Sequence, residues 1–185
     1  SVFRDVFEFY FPYIEAETTE WDNYIRCNAQ ARIQDYCVMR RFAPDLPAGD
    51  LHHLDFGPGL GVHSSYSLEF FDGVYTAIEA DPDLYNIQRL FYRRRVQGHG
   101  QYFDAVDADT LGHSLDQIAD LIANGPFRIK HVPSWFFPDV PEQSQDLVTA
   151  TAVLNELPAA SMIWMMSHTM RTLKTGGYLY IRDSG

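Results

Sequence analysis

The sequence predicts a doubly wound α/β fold, in which a parallel sheet carries helices on both faces. Three observations predict it. Apolar strand-like runs alternate with helical patterns from residue 50 onward. The first run ends in the glycine-rich turn Asp55-Phe56-Gly57-Pro58-Gly59-Leu60-Gly61. The remaining polar motifs fall at the ends of later runs, where an open α/β sheet binds its ligands. Right-handed crossovers restrict the topology further, and five strands in the order 3-2-1-4-5 are expected.

Residues 1–48 read as a helical cap before this core, which occupies 49–185. Phe3, Phe7, Phe9, Tyr10, Phe11 and Tyr13 form an aromatic stretch broken by Pro12. A helical pattern starts at Thr19-Glu20, with Tyr24, Ile25, Ile33, Tyr36, Cys37 and Phe42 apolar, and Pro44, Pro47 and Gly49 end it. Packing is the first use of such a stretch; a lid in which Tyr10, Tyr13 or Trp21 touches a ligand is the second. Strand one covers 51–56 and its helix 63–71. Strand two covers Val74–Glu79, followed by Asp81 as N-cap and Pro82 in the first helical turn. That helix places Leu84, Ile87, Leu90 and Phe91 on one face. For strand three, 102–106 is a short candidate, but 127–132 sits better before Pro133-Ser134-Trp135, leaving 111–123 as an inserted helix. Strand four covers 146–153, a helix follows over 159–173, and Lys174-Thr175-Gly176-Gly177 turns the chain into strand five at 178–182.

Length and composition narrow the function. With 185 residues, 46% of them hydrophobic and 21% charged, the chain can bury a full core. Fourteen basic against 25 acidic residues give a formal net charge of −11, which argues against a nucleic-acid partner because phosphate contacts need a basic surface. The basic cluster Arg93-Arg94-Arg95 ends a helix, where the helix dipole favours it. No apolar run reaches the roughly 20 residues of a membrane span, and no signal peptide opens the chain. A start at Ser1 rather than Met is expected of a trimmed chain. Cys27 and Cys37 lie about 15 Å apart along one predicted helix, too far for a disulfide, and have no zinc spacing. A reducing, cytoplasmic setting is expected.

The glycine spacing separates nucleoside cofactors. The dinucleotide fingerprint requires glycine at position 62, where Val62 stands. Glu79, 20 residues beyond Gly59, ends strand two, where a carboxylate accepts hydrogen bonds from the ribose hydroxyls of an adenosine. A serine hydroxyl such as Ser134 can satisfy an adenine edge and an indole such as Trp135 can cover its face, although core packing serves Trp135 equally well.

Asp55 to Gly61, read as Asp-x-Gly-x-Gly-x-Gly, resembles motif I of the class I S-adenosylmethionine-dependent methyltransferases. Ile78-Glu79-Ala80-Asp81 resembles their ribose-binding segment. Asp146-Leu147-Val148 with Val153-Leu154-Asn155-Glu156-Leu157-Pro158 resembles their fourth-strand motif. Leu173-Lys174-Thr175-Gly176-Gly177-Tyr178 is similar to the leucine-lysine-proline-glycine-glycine turn before strand five, with Thr175 in place of proline. The resemblance covers residues 50 to 185 and, less specifically, extends to proteins described as bacterial sugar O-methyltransferases. It implies S-adenosylmethionine as cofactor, held by Asp55, Gly57, Gly59, Gly61, Glu79, Ala80, Ser134 and Trp135. Asp55 would order the loop and reach the methionine ammonium, directly or through water.

Two departures stand out. Val132-Pro133-Ser134 lacks the acidic residue that often receives the adenine amino group. The chain stops after strand five, where the family adds strands six and seven, so truncation, a covering segment or a second copy at that edge is expected. For catalysis, Asn155 and Glu156 after strand four and Asp183 after strand five flank the expected methyl position. Glu156 or Asp183 could serve as base, or hold Mg²⁺ against a sugar diol, while helix capping is the structural role for Asn155 and Glu156. His63 opens the first helix, where it either faces the amino-acid end of the cofactor or, like His168, has a structural role. Without an Asp/Asn-Pro-Pro-aromatic segment, methylation of nucleic-acid bases is disfavoured. The expected activity is O-methylation of a saccharide or other small hydroxyl compound. A cofactor-binding module without catalysis is the alternative, and Val62 argues against a nucleotide-dependent oxidoreductase.

Overall fold

The computed structural model describes residues 19–47, 49–96 and 101–183. The chain divides into two compact units, Ser1–Asp45 and Leu46–Gly185. In the first, helix α1 spans Thr19–Phe42, with Arg40 and Arg41 in its last turn, where cations complement the helix dipole. Arg32 and Asp35 pair one turn apart at 3.2 Å, and the thiols of Cys27 and Cys37 are both free and exposed. The aromatic stretch before Thr19 and the side chain of Trp21 lie outside the described residues.

The second unit holds β1 (His52–Phe56), α2 (His63–Phe70), β2 (Val74–Glu79), α3 (Pro82–Arg95), β3 (Tyr102–Asp104), α4 (Ala105–Thr110), α5 (Leu115–Asn124), β4 (Ile129–Pro133), β5 (Gln145–Thr151), α6 (Ala159–Thr172) and β6 (Leu173–Arg182). Short 3₁₀ turns cover Ser134–Asp139 and Leu154–Glu156. Asp81 caps α3 as expected, accepting from the amides of Asp83 and Leu84. The strands form one parallel sheet in the order β3-β4-β2-β1-β5-β6. Among the described residues no helix is long and apolar enough to cross a membrane.

The expected 3-2-1-4-5 order is present as β4-β2-β1-β5-β6, and the correction is one more edge strand. Tyr102–Asp104, set aside in the sequence, pairs with Ile129–His131 of β4. The segment after it is two helices rather than one over 111–123. Asp104 caps α4 by accepting from Val106 and Asp107 amides, Gly112 at φ 86° breaks the helix, and a Ser114/Gln117 capping box starts α5. β6 begins at Leu173 rather than 178, because the Gly-Gly turn is absorbed into the strand as a register shift opposite Gln145 and Leu147.

Alternation along β1 assigns the two faces of the sheet. Leu54 and Phe56 face an apolar layer with Ile78, Val132, Val148 and Ala150, packed on Ile118 and Ile122 of α5 and Met165 of α6. Each large side chain there contributes roughly 1.5–3 kcal/mol by burial. His53 and Asp55 face the other way, into a layer of polar and aromatic side chains from α2, α3, β2, β4 and β5. That polar face underlies the glycine turn.

Candidate functional site

The glycine turn leaves β1 at Gly57, whose amide donates to the carbonyl of Ile78 on β2 at 2.9 Å. Gly57, Gly59 and Gly61 all have φ between 57° and 69°, the left-handed region that L-residues avoid. Their surroundings differ. A Cβ at Gly57 would meet Val153 Cγ2 at 2.6 Å, and one at Gly61 would meet the Tyr92 ring at 2.7 Å. A Cβ at Gly59 would meet nothing within 4 Å. The outer glycines are thus locked to the protein, and the middle one borders open space where a ligand can approach bare backbone.

Beneath the turn, Asp55 is fully buried and does not border that space. Its Oδ1 accepts from Thr149 Oγ1 at 2.6 Å, and its Oδ2 from Tyr75 Oη at 2.7 Å and His63 Nδ1 at 3.0 Å. Burial opposes the charge, but neighbouring His63 and the Thr149 hydroxyl outweigh it and hold the carboxyl down to about 2. Thr149 gives its proton to Asp55, so it must accept from His53 Nε2, 2.7 Å away, and His53 Nδ1 then accepts from Ser67 Oγ at 2.5 Å. Burial keeps His53 neutral, with its pKa lowered to about 3. Asp55 therefore orders the turn from below, its carboxylate engaged by Thr149, Tyr75 and His63. His63 is a structural donor, as its sequence position suggested.

Glu79 ends β2 and is almost fully buried. Its Oε1 accepts from the amides of Ala80 and Asp81 at 2.8 and 2.9 Å, and its Oε2 from Gln88 Nε2 at 2.7 Å. A carboxylate offers about four acceptor positions, so one remains for a ribose hydroxyl. Burial raises the Glu79 pKa against the opposing pull of these hydrogen bonds. Glu79 stands opposite Pro133 in register, so exposed Ala80 and half-buried Ser134 follow a matched pair at the carboxyl ends of β2 and β4. Trp135 is 64% exposed, which makes it surface rather than core.

The acceptor-side residues also converge. Ala152, at φ 57°, turns the chain off β5 and places Val153 against Gly57. Its amide donates to the Arg182 carbonyl at 2.7 Å, and the Asn155 amide donates to Asp183 Oδ2 at 2.8 Å. Asn155, Glu156 and Asp183 are all exposed at this junction of β5 and β6. His168 instead packs edge-on to Trp164 and against Phe137.

Nothing supports Mg²⁺ at Glu156 and Asp183, which belong to no group of three metal-ligating side chains among the described residues. The group spaced to share a cation is His53, Asp55 and His63, with ligand atoms within 4.8 Å of one another. It is buried, already hydrogen-bonded and offers two nitrogens to one oxygen, unlike the oxygen shell that Mg²⁺ takes. A cavity of about 760 Å³ beside β3, lined by Tyr102, Phe103, Leu111, Leu121 and Phe127, includes no residue of the glycine turn or of Glu79.

Sequence reasoning missed Gln88, His131, Tyr75, Thr149 and His53. The available signal was polar residues two apart in otherwise apolar strands, at 53 and 55 and at 149 and 151.

No family model and no curated protein matches the chain. Solved structures do. A protein described as a sarcosine dimethylglycine methyltransferase from Galdieria sulphuraria matches at a TM-score of 0.58 with 15% identity, over 98% of this chain and 59% of that one. Phosphoethanolamine N-methyltransferase 2 of Haemonchus contortus, solved with S-adenosyl-L-methionine, matches at 0.50 with 15% identity, over 80% of this chain and 27% of that one. A mutant of MtNAS matches at 0.51 with 11% identity, over 97% and 54%. The chain thus spans at most 59% of the length of these structures. Identities this low speak to architecture alone, and the architecture is the Rossmann-like fold of the class I S-adenosylmethionine-dependent methyltransferases.

Proposed function

We propose that the chain is the cofactor-binding core of an S-adenosylmethionine-dependent methyltransferase acting on a hydroxyl of a saccharide or other small molecule. The observation that carries the cofactor is the glycine turn. Gly57 and Gly61 are packed against protein, Gly59 borders open space, and Glu79 follows at the end of the neighbouring strand with an acceptor position to spare. These residues fit an adenosine-bearing ligand. Ala80 and Ser134 would line its base, with the exposed Trp135 ring as a cover.

The cofactor supplies an electrophilic methyl group on a sulfonium. The protein has to hold an acceptor oxygen in line with it and take the hydroxyl proton as the new O–C bond forms and the S–C bond breaks. Asp183 is steadied by the Asn155 amide, and Glu156 lies one residue further along the same turn. Either carboxylate is exposed enough to meet an acceptor and to return the proton to water. This pair supports a hydroxyl acceptor, since an oxygen nucleophile at neutral pH gains most from a nearby base.

Incubating the chain with labelled S-adenosylmethionine and a panel of saccharides, phenols and small amines tests the proposal. Label in a saccharide or phenol product supports it. Label only in amines would refute the hydroxyl reading, and cofactor binding without transfer to any acceptor would favour a non-catalytic binding module.

A further inference from the structure

We propose that Gln88 is the positioning residue of the nucleoside subsite, locking the glycine turn and the ribose carboxylate into one fixed arrangement. The inference rests on the function proposed above and adds a residue to it. Gln88 projects from α3 and is fully buried. Its Nε2 donates to the carbonyl of Gly59 and to Glu79 Oε2, both at 2.7 Å, while its Oε1 lies 3.0 Å from His131 Nε2.

The chemistry leaves this amide no second orientation. The Gly59 carbonyl can only accept, which fixes the –NH₂ group on that side, where it also reaches Glu79 Oε2. Turning the amide over would set three oxygens against one another in a buried site, and each lost bond there carries the full desolvation cost. The amide oxygen must then receive a proton from His131 Nε2. Burial keeps His131 neutral, its pKa lowered to about 3, so it carries a single ring proton, on Nε2. Its Nδ1 is consequently an acceptor, and the Tyr102 hydroxyl, 3.0 Å away, shares its one proton between that nitrogen and Asp104 Oδ2 at 2.9 Å. The Tyr85 ring stacks on the imidazole at a centroid distance of 3.7 Å and prevents it from turning.

The consequence is specific to the ligand. Gly59 is the one glycine of the turn that borders open space, and Glu79 is the carboxylate placed for ribose. One side chain holds both, so the distance between the methionine and ribose subsites is set by Gln88 rather than by loop flexibility. Preorganisation of this kind raises affinity by removing the ordering cost from binding.

Calorimetric titration of the full chain with S-adenosylhomocysteine, and with its analogue lacking both ribose hydroxyls, tests the inference. Gln88→Met keeps the side chain's length and removes its three hydrogen bonds. It should weaken S-adenosylhomocysteine at least tenfold and the dideoxy analogue far less. Equal affinity of wild type and variant for S-adenosylhomocysteine would overturn the inference, as would an equal loss for both ligands, the mark of a merely structural effect. Wild type that binds neither ligand would instead overturn the functional reading on which the inference rests. A second measurement needs neither variant nor ligand. Nitrogen-15 NMR of wild type at neutral pH should show His131 as the Nε2–H tautomer, and an Nδ1–H tautomer would overturn the amide orientation and the inference with it.

Discussion

Gly59 and Gly61 share a backbone conformation and differ in what a methyl group would meet. At Gly59 a side chain pays only for its positive φ, about 1–2 kcal/mol, because the space beyond is open. At Gly61 the same strain is joined by collision with the Tyr92 ring. Gly59→Ala is therefore expected to fold, with slightly lowered thermal stability, and to lose most S-adenosylmethionine affinity, whereas Gly61→Ala should lose distinctly more stability. Thermal unfolding and calorimetry on the two variants separate these outcomes; equal destabilisation would contradict the assignment of open space to Gly59. Glu79 makes a second residue-level prediction. Glu79→Ala should weaken the cofactor by about 1–3 kcal/mol, the range for a hydrogen bond to a charged group, and unchanged affinity would remove the ribose assignment.

Among the elements, β1, β4 and β5 depart from the apolar composition expected of strands buried on both faces. His53 and His131 each titrate near 3 in the fold against an ordinary 6.5. The folded state therefore binds fewer protons than the unfolded chain, and the stability these residues allow is complete above pH 6.5 and lost as pH falls toward 3. The slope approaches about 1.4 kcal/mol per pH unit for each group. Asp55, held down to about 2 from 3.8, adds a loss confined to the interval between those values. Thermal unfolding should show a clear fall in Tm between about pH 7 and about pH 5, where histidine charging dominates; a flat profile would contradict the neutral buried imidazoles. At the junction of β5 and β6, Glu156→Gln and Asp183→Asn should each lower turnover with little change in cofactor affinity, since a proton-accepting role belongs to the transition state. Full activity in both would make these carboxylates structural.

The same elements show what the sequence could and could not disclose. The glycine turn, Glu79 and the Asp81-Pro82 helix start were legible because local backbone chemistry dictates them. Tyr102–Asp104 was not, because three residues carry too little periodicity and their pairing is set by β4, some 27 positions away in register. Gln88 was hidden for a different reason. It is a polar residue on an amphipathic helix, and only the tertiary fold shows that it faces Gly59, Glu79 and His131 rather than solvent. The partners of Asp55 were hidden in the same way, since alternation turns its side chain into the sheet's polar layer toward Thr149 and Tyr75.

The acidic chain, with a net charge of −11, carries at the carboxyl ends of β1 and β2 a turn of bare backbone beside the buried carboxylate of Glu79. Such an end suits a small nucleoside cofactor that is neutral or positively charged at its reacting centre better than a polyanion. Val62 stands where the dinucleotide fingerprint needs its third glycine, which sets S-adenosylmethionine against NAD as the two ligands to compare. Parallel calorimetric titrations of the chain with S-adenosylmethionine and with NAD test this most directly. The account predicts saturable one-to-one binding of S-adenosylmethionine, abolished in the Gly59→Val variant, and no detectable heat of binding with NAD. Binding of NAD in preference to S-adenosylmethionine, or of neither, would contradict it.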